Sequence, residues 1–101
     1  MDIVVTDNQE QERFEAHVDG ELAGYAQYKQ RPDGIALTHF ETLPAYGGRG
    51  VASTLAREAI ARVRDSDAQV IPLCEFAVSY IREHPEYVDL VVERYRGEVT
   101  A

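Results

Sequence analysis

Residues 3–43 alternate in steps of two. In "RFEAHV", Phe14, Ala16 and Val18 fall on one side with polar partners between them, the period of a half-buried strand. "IVVTD" before it is short and β-branched, and "LAGYAQYKQ" and "IALTHFETL" after it read as further strands. The joints carry turn chemistry. "DGE" at residues 19–21 places a glycine where a tight hairpin needs positive φ. "RPDG" at residues 31–34 places a proline where its fixed φ suits a turn. The pattern predicts an antiparallel meander with short connections.

The period changes at Pro44. Val51, Ala52, Leu55, Ala56, Ala59, Ile60 and Val63 form one stripe of a helix, with Arg57, Glu58, Arg62 and Arg64 outside it. "DSDA" at residues 65–68 ends that helix, and "QVIPLC" is a short apolar strand. A strand, a helix and a strand in this order make a crossover, so the two strands are expected to be parallel. "EFAVSYIREH" predicts a second helix, closed by Pro85, which disfavours helical geometry at His84. The tail "EYVDLVVERYRGEVTA" fits a short helix or a last strand equally. The expected fold is α/β in the α+β sense, a mixed sheet with an antiparallel N-terminal meander, then a β-α-β crossover and a C-terminal helix. No repeat, linker or low-complexity stretch divides the chain, so residues 1–101 are read as one domain.

Composition narrows the partners. A chain of 101 residues, 45% hydrophobic, is the size and character of one globular domain with a single core. Cys74 is the only cysteine, so no intrachain disulfide forms, and a reducing, cytoplasmic setting is expected. No run approaches the roughly 20 apolar residues of a membrane span, and "MDIVVTDNQE" lacks the basic start and apolar core of a signal peptide. The net charge of −8 argues against nucleic acid, whose binders neutralise phosphates with basic patches. It favours a cationic small molecule or a lysine-bearing protein, although acidity also serves solubility alone. A monomer or weak dimer is expected.

The stretch "TLPAYGGRGVASTLAREA" at residues 42–59 carries the clearest chemistry. A helix N-terminus has unpaired N–H groups and about half a positive charge. Glycines before it let the backbone approach a bulky anion. A plain tight turn is the other reading of the loop taken alone. A Walker loop is excluded because no lysine follows the glycines. "GRGVAS" puts Ser53 where a Rossmann fingerprint needs its third glycine, and the loop follows a meander rather than the first strand of a parallel sheet.

The run "LPAYGGRGVASTLAREAI" resembles the coenzyme A pyrophosphate loop of the GCN5-related N-acetyltransferases. Their pattern, [QR]xxGx[GA], follows a strand and a Pro-x-Tyr segment and opens a long helix. Gly50 and Ala52 match it, and Gly47 stands where the family has Gln or Arg. "VIPLCEFAVSYIREHPEY" resembles the C-terminal signature of a minimal, YjdJ-like branch of about a hundred residues. There the glycine loop, a Pro-Leu-Cys segment and a His-Pro-Glu-aromatic segment recur in this order. The resemblance runs from the first hairpin to Tyr87. It implies an acetyltransferase with acetyl-coenzyme A as donor and a small-molecule or protein amine as acceptor. It implies that Gly47, Gly48, Arg49, Gly50, Val51, Ala52 and Ser53 wrap the pyrophosphate. It also implies that the strand "LTHFETL" lies along the pantetheine arm, with Phe40, Thr42 and Leu43 beside the cofactor.

Acetyl transfer needs a neutral amine, a polarised carbonyl and a proton for the leaving sulfur. A lone cysteine is ordinarily a buried structural residue. The resemblance instead makes Cys74 the reactive group, as a nucleophile or as a proton donor. His39, in "THFET", is a candidate base or activator of Cys74, with a satisfied strand histidine as the plain alternative. Glu41, two residues on and on the same face of a regular strand, is the other candidate base. Tyr80 is expected to pack in the core, one residue out of register for the superfamily's helix tyrosine. His17 and His84 read as surface or capping residues. No Cys/His pair has metal-ligand spacing, so no metal is expected. Two further readings remain: a coenzyme A or acyl-CoA binding module with little turnover, and an interaction domain whose loop binds nothing.

Overall fold

The computed structural model describes residues 2–100. Four strands form the meander: β1 (Ile3–Asn8), β2 (Arg13–Val18), β3 (Glu21–Arg31) and β4 (Gly34–Thr42). The first helix, α1 (Val51–Asp65), crosses to β5 (Val70–Pro72), and α2 (Glu75–Glu83) follows directly. The sheet order is β1-β2-β3-β4-β5, antiparallel through β4, with β5 parallel to β4. The mixed sheet with its crossover is the architecture the patterning predicts. The turn between β2 and β3 holds Asp19 at φ 52° and Gly20 at φ 81°. Positive φ at both central positions matches the right-handed twist of the strands it joins.

One sheet face is apolar. Phe14, Ala16 and Val18 are buried there, together with Val5, Ala26, Tyr28 and Leu37. Helix α1 lies on this face and buries Val51, Leu55, Ala56, Ala59, Ile60 and Val63. Each fully buried Leu, Ile or Val contributes roughly 1.5–3 kcal/mol. Gly24 of β3 is hemmed in from two sides: a Cβ there would meet the Glu41 carbonyl oxygen of the neighbouring β4 at 2.6 Å and Val51 Cγ1 at the start of α1 at 3.0 Å. Arg62 leaves the outer row of α1 to donate to the Val5 carbonyl at 2.7 Å, which occupies an acceptor on the edge strand β1.

A bulge re-aims β4. Gln27 pairs with His39 and Tyr28 with Leu37, so Thr38 is an extra residue in the ladder. Strict alternation would put Leu37, His39 and Glu41 on one face. The bulge leaves Leu37 in the core and turns His39 and Glu41 to the opposite face.

The tail is helical rather than a last strand: two 3-10 turns, Pro85–Leu90 and Glu93–Tyr95, flank a one-residue bridge. Val91 makes a parallel bridge to Val70, and Val92 donates to the Val70 carbonyl at 3.0 Å. A five-residue helix, α3 (Arg96–Thr100), then packs on α2. Val92 and Tyr95 cover Ala36 and Ile71 on the second sheet face, and Arg94 pairs with Asp33 in the β3–β4 turn. Among the described residues no helix is long and apolar enough to cross a membrane.

Candidate cofactor loop and active site

The glycine loop joins β4 to α1. A short 3-10 turn, Pro44–Tyr46, starts it, and the Tyr46 hydroxyl donates to the Glu21 carboxylate at 3.1 Å, tying the turn to β3. Gly48 has φ 75° and Gly50 has φ 80°, both in the left-handed region that side chains disfavour. Gly47 differs. Its φ is −61° and a Cβ there would meet only the Pro44 oxygen at 3.7 Å. That position admits a side chain, which fits the glutamine or arginine the family pattern places there.

Gly50 caps α1 without any side-chain hydrogen bond, and no acidic residue stands in the first turn. Gly47 N–H is bonded to the Pro44 carbonyl, and the next bonded amide is Thr54, to the Gly50 carbonyl. Among the described residues the amides of Gly48, Arg49, Gly50, Val51, Ala52 and Ser53 have no backbone or side-chain acceptor. Val51 is buried while the other five are exposed or partly exposed, and a run of unpaired donors at a positive helix end is suited to a multiply charged anion. Arg49, also exposed, adds a cation.

Strand β4 has an open edge beside this loop. Its pairing with β5 covers only Ile35, Ala36 and Leu37, and Leu73 N–H closes the contact on the Leu37 carbonyl at 3.0 Å. Beyond that point the two strands part. Leu43 N–H bonds back to Ala23 on β3. By alternation, the backbone groups of Phe40 and Thr42 therefore point to the open edge. The Phe40 side chain spans the gap and meets Phe76 of α2, ring centroids 5.0 Å apart.

Cys74 stands just past β5 as the N-cap of α2. It is half-buried and packs against the main core. Burial pushes its thiol up from the ordinary value, and the amides of Ala77 and Phe76 at the helix start only partly offset this. The resting group is therefore a thiol near neutral pH.

His39 is exposed on the second sheet face. It lies 3.0 Å from Glu41 through Nε2, with the Tyr25 ring centroid 6.3 Å away. With Nε2–H donated to the carboxylate, Nδ1 keeps a free lone pair. Among the described residues no hydrogen bond joins His39 to Cys74, so the two candidate groups do not form a preassembled pair.

The profile of the GCN5-related N-acetyl-transferase family matches residues 13–90. The chain belongs to this family. A solution structure of a GCN5-like protein from Staphylococcus aureus is similar in fold, with TM-score 0.67 and 18% identity over 88% of this chain and 87% of that chain. No curated protein matches the chain.

Seen as a GCN5-related acetyltransferase, the chain places its remaining candidates as follows. Tyr80 is buried in an aromatic stack, 4.1 Å from His84 and 6.1 Å from Tyr87 between ring centroids. Burial pushes its hydroxyl up, and Tyr87 adds to the effect. His84 caps α2, with Nδ1 2.8 Å from the Tyr80 carbonyl. His17 lies 3.6 Å from Glu15 on the second sheet face. Among the described residues no cluster of His, Cys, Asp and Glu could hold a metal.

Sequence reasoning missed a cleft of ≈ 520 Å³ that opens beside Cys74, between α2 and the C-terminal segment. Its far wall is Tyr95 and Glu98, which lie in the tail whose structure the patterning left open. A second cleft, of ≈ 470 Å³, is lined by residues 30–35 and 66–69 and takes nothing from the glycine loop.

Proposed function

We propose that the chain transfers the acetyl group of acetyl-coenzyme A to an amine. The observation that carries this reading is the unbroken series of free amides from Gly48 to Ser53, set beside the open edge of β4 in a family fold. Those amides and Arg49 would hold the pyrophosphate, with Gly47 completing the turn. The outward backbone groups of Phe40 and Thr42, with Leu43 beside them, would hold the pantetheine amides. Acetyl-coenzyme A supplies an activated acyl group at the place where β4 and β5 part.

The chain's own groups divide the proton work. Free backbone donors along β4 polarise a carbonyl as negative charge develops on its oxygen. His39, oriented by Glu41, takes the proton that the attacking amine must lose. Cys74 gives its proton to the leaving sulfur, a role that a thiol raised by burial fits better than that of a preformed thiolate nucleophile. Direct attack by the amine then replaces an acyl-cysteine. The coenzyme A-binding module is the second reading, favoured by the missing contact between His39 and Cys74.

Isothermal titration with coenzyme A tests the site. One molecule per chain is the expected stoichiometry, and a folded Gly50→Val protein is expected to bind at least tenfold more weakly. A β-branched residue is strained at φ 80° and its side chain intrudes on the anion. Equal affinity in the two proteins would remove the loop from the site.

A further inference from the structure

The cleft beside Cys74 joins three kinds of surface. Pro72, Leu73 and Val78 supply an apolar strip. Leu73 is 40% exposed, and Val4, on the edge strand, is the only other large hydrophobic so exposed among the described residues. Two carboxylates, Glu75 and Glu98, flank the strip from different elements, at the start of α2 and within α3. The one cation on the lining, Arg82, commits its Nε–H to the Glu98 backbone carbonyl at 2.7 Å. That bond ties α2 to α3 while the guanidinium keeps its charge, so the lining carries two carboxylates against one cation, and no ion pair reaches the Glu98 carboxylate among the described residues. A cleft of ≈ 520 Å³ has the capacity of a small-molecule site.

From this arrangement we infer that the cleft binds a linear alkylamine carrying a second positive charge, and so defines the acceptor class of the transferase. This rests on the proposed acetyl transfer for its chemistry, but the binding step stands apart from it. Methylenes lie along Leu73 and Val78, where they leave water. One ammonium remains charged against Glu98 or Glu75. The other nitrogen reaches the Cys74 end of the cleft, loses a proton and attacks. Its bond to the carbonyl carbon forms, the carbon–sulfur bond breaks, and the released sulfur takes a proton from Cys74; the proton lost before attack passes through His39 to solvent, and the second, lost as the neutral amide forms, restores the Cys74 thiol. An acidic chain, net charge −8, further concentrates such cations at its surface.

Spermidine is the probe, followed through backbone amide shifts of the isotopically labelled full chain without any acetyl donor. Saturable shifts are expected at Ser79, Arg82, Tyr95 and Glu98. Replacing Glu98→Gln and Glu75→Gln together is expected to weaken binding roughly five- to twentyfold, since each exposed pair with an ammonium adds up to about fivefold. Butylamine, with one charge, is expected to bind several-fold more weakly than spermidine. Shifts confined to other surfaces, equal binding by butylamine, or undiminished binding in the double variant would each overturn the inference. Saturable binding in the cleft with no acetyl transfer would retain the site and contradict the proposed chemistry instead.

Discussion

Phe40 and Phe76 meet at 5.0 Å between ring centroids, across the gap that opens where β5 leaves β4. Phe40 comes from the strand that would carry the pantetheine, and Phe76 from the helix that Cys74 caps. The pair therefore couples the cofactor edge to the placement of the thiol. Phe76→Leu keeps most of the apolar volume and removes the ring pairing. It is expected to lower stability by about 0.5–1.5 kcal/mol in urea unfolding. An unchanged midpoint would mean the rings merely coexist.

The close approach at Gly24 makes a sharper demand. Its Cβ would sit 2.6 Å from a backbone oxygen, which cannot swing aside as a flexible side chain does. Gly24→Ala is expected to cost about 1–3 kcal/mol, as overpacking does, measured by the same unfolding experiment. A stabilised variant would show that β3 and β4 separate freely there.

The meander was legible because one buried face and one wet face impose a two-residue period, and Phe14, Ala16 and Val18 obey it. The helix stripe from Val51 to Val63 was legible for the same reason at the helical period. The bulge at Thr38 was not, because an extra residue in a ladder leaves no mark in composition. It decides that His39 turns away from the Leu37 face. The tail was not legible either. Val91 and Val92 bridge to Val70 through a long-range contact, and a short run of residues carries no period that separates a bridge from a turn. The cleft at Cys74 depends on that tail, so Glu98 and Tyr95 could not have been chosen beforehand. Gly48 and Gly50 were readable as anion-loop positions, but only their backbone angles separate them from Gly47.

Glu15 links pH to stability. Burial pushes its carboxyl up, but hydrogen bonds from Asn8 and Arg13 and the charges of Arg13 and His17 outweigh this and leave it below the ordinary value of 4.5. A group lowered in the folded state stabilises above its unfolded value and loses that contribution as pH falls through the folded one. Urea midpoints of the native chain should thus drop as pH falls below about 4.5. In Glu15→Gln that acid-side drop should be smaller. Parallel curves for the two proteins would contradict the assignment.

Cys74 is raised by burial, so its reaction with iodoacetamide should be slow at neutral pH and should increase through an inflection above the ordinary thiol value of 9.0. Intact mass after mixing with acetyl-coenzyme A alone should show no acetyl on the protein. An inflection near neutrality, or an acetyl group mapped to Cys74, would restore the acyl-cysteine route.

Release of free coenzyme A from acetyl-coenzyme A reports amine-dependent acetyl transfer itself. With spermidine present, release should exceed the amine-free rate at least a hundredfold, rise with pH as the amine loses its proton, and fall at least tenfold in Cys74→Ala and in His39→Ala, each still binding coenzyme A. Tight binding of coenzyme A with no amine-dependent release, across a panel of primary amines and lysine peptides, would contradict that transfer and leave a binding module.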